Sequence, residues 1–135
     1  MVTRQVTTFG FGMPWEESHG YSQAFRVGQL VCISGQVPHD EQGELVGIGN
    51  AARQTQAVFA NLDRALSGIG ASRRQVVETV VMVVDLAVNF ASVSSAHQDY
   101  FRPHRPASTA LGVAALVIPG QLVEISARVS LDLPR

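Results

Sequence analysis

The sequence predicts an α+β fold: a mixed β-sheet with two helices packed on one face, in the order β-β-β-α-β-α-β-β. Three stretches carry that expectation. From Leu122 to Leu131 the chain alternates without a slip. Val123, Ile125, Ala127, Val129 and Leu131 point one way and Glu124, Ser126, Arg128 and Ser130 the other, which is the period of a strand with one buried face. Ala52, Thr55, Phe59, Leu62, Leu66 and Ile69 recur at spacings of three and four, the apolar stripe of a helix. Val76 to Leu86 is the most hydrophobic run and is rich in β-branched valine, which predicts a central strand.

The remaining elements follow in chain order. Arg4 to Thr8 is a candidate first strand. Gly10 to Gly20 is broken by glycine and Pro14, the signature of an irregular loop. Tyr21 to Arg26 and Leu30 to Ser34 read as two strands turning at Val27-Gly28-Gln29. Pro38 to Gly49 is polar and glycine-rich, hence a loop. Asn50 is positioned to cap the long helix, and Gly68 and Gly70 to end it. Asn89 is a candidate cap for a second helix through Phe90, Val93, His97 and Tyr100-Phe101, stopped by Pro103. Ala107 to Ala114 and Leu122 to Leu131 supply two strands joined through Pro119-Gly120, an arrangement that carries Ser108 and Glu124 towards the same end of a cleft.

At 135 residues the chain has the length of one domain, residues 1–135, with no linker, repeat or low-complexity tract. Its apolar content is generous for that size, which points to apolar surface buried between subunits. A net charge of −1, with Arg73-Arg74 the longest basic run, argues against a nucleic-acid surface. All ten basic residues are arginine. The absence of lysine excludes a lysine Schiff base, and with it pyridoxal-phosphate chemistry. A single cysteine, Cys32, allows no internal disulfide and fits a reducing compartment, so the expected location is the cytoplasm. Its place in Leu30-Val-Cys-Ile33 predicts a buried structural thiol. No run is long enough to span a membrane, and the first residues contain no hydrophobic signal core.

Few residues offer chemistry. His19, His39, His97 and His104 show no metal-ligand spacing, so no metal and no cofactor is expected. No Gly-x-Ser-x-Gly elbow or phosphate-binding glycine loop is present. Phe11 to Trp15 places large apolar side chains in a loop, either packed on the body or forming a lid. Glu124 is the best acid–base candidate, because a mid-strand carboxylate in a partly dehydrated cleft can hold or relay a proton. The competing reading is an ion pair with Arg128 or Arg26.

Several motifs resemble one family. Gly20-Tyr21-Ser22-Gln23, Ser34-Gly35-Gln36-Val37-Pro38, Gln54-Thr55-Gln56 with Asn61-Leu62, Val83-Val84-Asp85-Leu86 and Val123-Glu124-Ile125 together resemble the RidA/YjgF (reactive intermediate deaminase, Rid) family from about Gly20 to Leu131. The resemblance implies a chorismate-mutase-like fold, a homotrimer, and a small-molecule cleft between subunits in which enamines or imines are hydrolysed. It further implies that Glu124 handles water and that Tyr21, Ser34, Gly35, Ser94, Ser108 and Ala110 line the cleft. Two positions depart from the pattern. Ser108 stands where the family's deaminases have an arginine that clamps the substrate carboxylate, and Ser94 where many have asparagine. Serine replaces no bidentate ion pair. The chain therefore resembles the family's arginine-lacking branches, and classical imino-acid deamination is not expected of it. Arg105 lies an odd number of residues from Ser108 and faces away along a regular strand, with Arg102 a second alternative. The ribonuclease activity sometimes attached to the family finds no basic, aromatic-studded face here. The open readings are an enamine or imine hydrolase and a non-catalytic protein that binds or senses a small metabolite.

Overall fold

The computed structural model describes residues 4–135, which contain one six-stranded sheet. In chain order the elements are β1 (Val6–Phe9), α1 (Pro14–His19), β2 (Ala24–Val27), β3 (Leu30–Gln36), α2 (Ala51–Ile69), a 3-10 turn (Arg73–Gln75), β4 (Val76–Val84), α3 (Leu86–Phe101), β5 (Ala107–Val113) and β6 (Val123–Ser130). The strands are arranged β1-β2-β3-β6-β4-β5. Neighbours are antiparallel except β4 and β5, which run parallel with α3 as their crossover. Two long helices on one face of a mixed sheet is the α+β architecture expected.

The alternation read in the last strand is what joins sheet to helices. Val123, Ile125, Val129 and Ala127 of β6 are buried, as are Val31 and Ile33 of β3 and Val81 and Val83 of β4. Against them α2 packs Val58, Phe59, Leu62, Ala65, Leu66 and Ile69, all buried. The Asn50 side chain accepts from the Arg53 backbone N–H at 2.9 Å, as its capping role predicts. Gly70 ends α2 in the left-handed region at φ 81°. Gly68 does not end the helix. It lies within the last turn, where a Cβ would come within 2.2 Å of the Phe9 ring, so its missing side chain lets β1 dock on α2.

Several expectations are corrected. Residues 10–20 are not wholly irregular, because Pro14 at the first helical position starts the six-residue helix α1, closed by Gly20. The helix α3 starts at Leu86 rather than near Asn89. Asp85 takes the left-handed conformation before it, and the Asn89 side chain donates back to the Val84 carbonyl at 2.8 Å. The strands β5 and β6 are not neighbours, since β4 lies between them. Cys32 is exposed rather than buried. Val31 and Ile33 take the helix-facing positions of β3, which turns Cys32 to the opposite face beside Phe25 and Arg128.

That helix-free face carries Phe25, Cys32, Val80, Met82, Leu111, Ser126 and Arg128. Phe25 and Leu111 are each 47 % exposed there. Among the described residues, no helix is long and apolar enough to cross a membrane.

Candidate functional site

The site begins with an irregularity in the sheet. The β3–β6 ladder pairs Ile33 with Ala127 and then Gln36 with Ile125, so β3 carries one residue more than its partner and Ser34-Gly35 form a bulge. Glu124 of β6 lies against that bulge. A Cβ on Gly35 would stand 2.2 Å from Glu124 Oε2 and 2.8 Å from its Cδ, so only glycine lets the carboxylate rest on the β3 backbone. The buried Gln121 amide donates to Glu124 Oε1 at 3.2 Å and holds it in place. Glu124 makes no ion pair among the described residues. The two arginines that offered one are committed elsewhere: Arg128 stands 3.7 Å from Glu78, and Arg26 Nε donates to the Gly28 carbonyl at 2.8 Å.

Residues from the N-terminal part build the opposite wall. Glu16 of α1 accepts from the Phe11 and Gly12 backbone N–H groups and from the Gln23 amide at 2.9 Å. Gln23 in turn accepts from Gln36 at 2.9 Å, which ties α1 to the bulge through buried amides. The Gln23 amide also reaches Tyr21 Oη at 3.5 Å. Burial pushes the Tyr21 hydroxyl above its ordinary value, and the Glu16 and Glu124 carboxylates add to the rise; the Trp15 and Gln23 side chains pull the other way. Tyr21 is therefore a neutral hydrogen-bonding group at physiological pH. Ser34 Oγ donates to the Ser22 carbonyl at 2.6 Å.

These groups enclose a cavity of about 760 Å³ that Tyr21, Ser34, Gly35 and Glu124 share with Trp15, His39, Val37, Leu45, Val117 and Ile118. No arginine lines it. The Phe11–Trp15 segment thus divides its work. Phe11 packs edge-on against Phe9 and His39 with Arg64 over its face, while Trp15 forms a wall of the cavity. His39 is buried, and its Nδ1 lies 2.8 Å from the Asp40 carbonyl. A carbonyl only accepts, so Nδ1 carries the ring proton. Composition did not single out Trp15, Gln23 or His39 as cavity walls. Trp15 was legible as part of a segment that either packs on the body or lids a pocket, and His39 only as a loop histidine.

The structure does not bring all the predicted site residues together within one chain. Ser108 of β5 pairs with Thr79, whereas Glu124 pairs with Met82. Thr79 belongs to the helix-facing row of β4 and Met82 to the other, so Ser108 and Glu124 lie on opposite faces, two strands apart. The expectation that the two meet at one end of a cleft is therefore corrected for the single chain, because β4 intervenes. Ala110 shares the Ser108 row, opposite Val81, and Ser94 is exposed on α3, the helix that packs on β4 and β5. The seven residues thus fall into two groups, Tyr21-Ser34-Gly35-Glu124 and Ser94-Ser108-Ala110. Arg105 is exposed in the segment before β5, and Arg102 is paired with Asp99. Neither reaches the Glu124 cavity. Among the described residues no cluster of three or more His, Cys, Asp or Glu is placed to hold a metal ion.

A bulged antiparallel ladder presents a carboxylate to a cavity on an α+β sheet of this order, and that combination defines a fold class. The comparisons make it specific. The family model described as endoribonuclease L-PSP matches residues 14–130, and the chain belongs to this YjgF/RidA family. The human 2-iminobutanoate/2-iminopropanoate deaminase is 35 % identical over 79 % of this chain and 77 % of its own. The 3-aminoacrylate deaminase of Acinetobacter baylyi is 32 % identical over 78 % and 82 %. A crystal structure from Mycobacterium tuberculosis, described as a member of the highly conserved YjgF/YER057c/UK114 family, superposes with a TM-score of 0.84 at 32 % identity, covering 93 % of this chain and 99 % of that one.

Proposed function

We propose that the protein is a hydrolase of enamines or imines whose reacting end carries no carboxylate, working in a cleft completed by a second subunit of a homotrimer. The observation that carries this reading is the Glu124 carboxylate, seated on Gly35 in the cavity. Relatives named as imine and enamine deaminases support the reaction class. Ser108, in the position of the family's clamping arginine, supports the change of substrate, since a hydroxyl offers neither charge nor a bidentate fork. The separation of the two groups of site residues within one chain supports a shared cleft: Tyr21, Ser34, Gly35 and Glu124 come from one copy, and Ser94, Ser108 and Ala110 from its neighbour. The exposed helix-free face would be the surface on which copies meet, and the single cysteine fits the cytoplasm as the compartment.

In this reaction an enamine first becomes its imine by proton transfer to carbon. Glu124 accepts a proton from water as the water oxygen bonds to the imine carbon, and the π pair moves to nitrogen, which takes up a proton. The carbinolamine hydroxyl proton then passes through Glu124 to nitrogen, and ammonia leaves as the C–N bond breaks and the C=O bond forms. Trp15, Leu45, Val117 and Ile118 give the cavity apolar walls, and a second subunit covering it would keep bulk water from the carboxylate.

The test is a coupled assay with 2-iminopropanoate generated by an amino-acid oxidase. Wild type is expected to be roughly two to three orders of magnitude slower than a family deaminase, the usual consequence of a missing buried ion pair. Ser108→Arg is expected to raise that activity. A wild-type rate equal to a family deaminase would show that another group supplies the clamp.

A second reading, a non-catalytic protein that binds or senses a small metabolite, rests on the same missing arginine. It is favoured if Ser108→Arg folds and assembles without gaining turnover while Glu124→Gln leaves ligand binding unchanged.

A further inference from the structure

Behind Ser108 stands a chain of hydrogen bonds that the reaction above does not use. Thr79 Oγ1 lies 2.8 Å from Ser108 Oγ and 2.9 Å from His97 Nε2. Thr79 is fully buried, Ser108 is exposed on the edge strand, and the His97 ring sits against Phe59 and Phe101 with centroids 5.9 and 4.8 Å away. Thr79 has a single hydroxyl proton and two partners, which leaves two arrangements. If Thr79 donates to Ser108, then His97 Nε2 carries a proton and donates to Thr79, and the Ser108 proton points outward. If Thr79 donates to His97, the imidazole proton is on Nδ1, Ser108 donates inward to Thr79, and its lone pairs face outward. Among the described residues Nδ1 has no hydrogen-bond partner, so both tautomers are open to it.

We propose that His97, acting through Thr79, sets the direction of the Ser108 hydroxyl proton, making Ser108 an acid–base group for an uncharged nitrogen in place of a cationic clamp. This rests on the reading of Ser94, Ser108 and Ala110 as half of a ligand cleft. His97 and Thr79 are positioning residues in it; Ser108 is the group that meets the ligand. The transfer balances without a net charge on the relay. Ser108 gives its proton to the ligand nitrogen and takes one from Thr79, which takes one from His97 Nε2, while Nδ1 takes one from solvent, to which Glu124 returns the proton it accepted from the attacking water. The imidazole ends as its other tautomer, and the reverse sequence restores it. An arginine donates only, whereas this chain both gives and accepts, matching an imine or carbinolamine nitrogen rather than a carboxylate.

The surroundings suit a neutral ring. Burial lowers the His97 pKa from its ordinary value. The groups around the ring are Phe59 from α2, Thr79 from β4, Phe101 on its own helix, and a shallow groove with Gln98, Arg102, His104 and Arg105. Arg102 is engaged by Asp99, and His104 Nε2 lies 2.6 Å from the Val76 carbonyl. No carboxylate touches the imidazole to hold it protonated.

The test uses the full-length protein with 15N-labelled histidine. Two-bond 1H–15N spectra report the tautomer of His97 in wild type, Ser108→Ala, Thr79→Val and the double variant. Ser108→Ala does not touch His97, yet it is expected to move the Nε2 and Nδ1 resonances, and to have no effect on the Thr79→Val background. An imine released by a flavin amine oxidase from phenethylamine serves as an uncharged substrate. With it, Thr79→Val is expected to lower kcat about tenfold or more with KM nearly unchanged, the pattern of lost acid–base assistance. His97 resonances indifferent to Ser108→Ala would overturn the proposal, as would a coupled spectrum with an unchanged kcat. If wild type turns over no imine, the hydrolase reading falls, and the spectrum alone then decides whether the relay exists.

Discussion

A missing side chain is what lets Glu124 occupy its place. Gly35→Ala would drive a Cβ into the carboxylate, so either Glu124 swings out or the bulge shifts. The expected result is a loss of turnover comparable with that of Glu124 variants while circular dichroism shows an intact fold. Full activity in Gly35→Ala would show that the carboxylate does not work from the seat observed here. Away from the site, Tyr100 Oη donates to Asp63 at 2.6 Å, and its ring stacks on Phe59 beneath Arg73. Burial raises its pKa far above the ordinary value; the Asp63 hydrogen bond and charge add to this and Arg73 opposes it. A folded value above the unfolded one means a contribution that is complete below about pH 10 and is lost as pH rises beyond it. Melting temperatures between about pH 9 and 11 should therefore fall more steeply for wild type than for Tyr100→Phe, and equal slopes would refute this. Residue roles were the least legible level of the sequence. Glu124 and Gly35 stood in recognisable motifs, but nothing in the spacing of Thr79, His97 and Ser108 shows that β5 runs parallel to β4 and brings them into one line.

The long helix shows what a clear period can secure. Its face from Thr55 to Ile69, its cap at Asn50 and its end at Gly70 were readable, because each follows from residues within a few positions of one another, whereas Ala52, read onto that face, is exposed and Ala51 is buried instead. Leu62 is fully buried at the centre of that face. Leu62→Ala is expected to lower unfolding stability by about 2–5 kcal/mol, measured by denaturant titration. A change within about 0.5 kcal/mol would mean that the helix–sheet contact is not where the core lies. The elements that escaped were short or conformationally unusual. Flanking glycines hid the six residues of α1, although Pro14 was a start signal. The helix α3 began three residues before the candidate cap because Asp85, at φ 52° and without a side-chain cap hydrogen bond, turns the chain into the helix, and a left-handed non-glycine residue is not readable from sequence. Strand order was also hidden. The sequence shows β5 followed by β6, and only the crossover through α3 explains why β4 separates them.

At the scale of the whole molecule, the helix-free sheet face leaves Phe25 and Leu111 half exposed alongside Val80 and Met82. Burial of that face between copies predicts a trimeric mass by light scattering at micromolar concentration, and an aspartate at Met82 should shift the mass towards monomer. The generous apolar composition and the family resemblance were the sequence signs of this. Assembly and chemistry are linked in this account, because the half-site with Glu124 and the half-site with Ser108 lie on opposite faces of one chain. Catalysis by Glu124 is tested by the rate of imine hydrolysis by wild type and by Glu124→Gln in one coupled assay, with both proteins first shown to have the same trimeric mass. Wild type is expected to accelerate the reaction clearly over buffer and Glu124→Gln to lose about 100-fold or more, since the amide keeps the shape of the carboxylate without its proton-accepting power. Equal rates for the two proteins would contradict it.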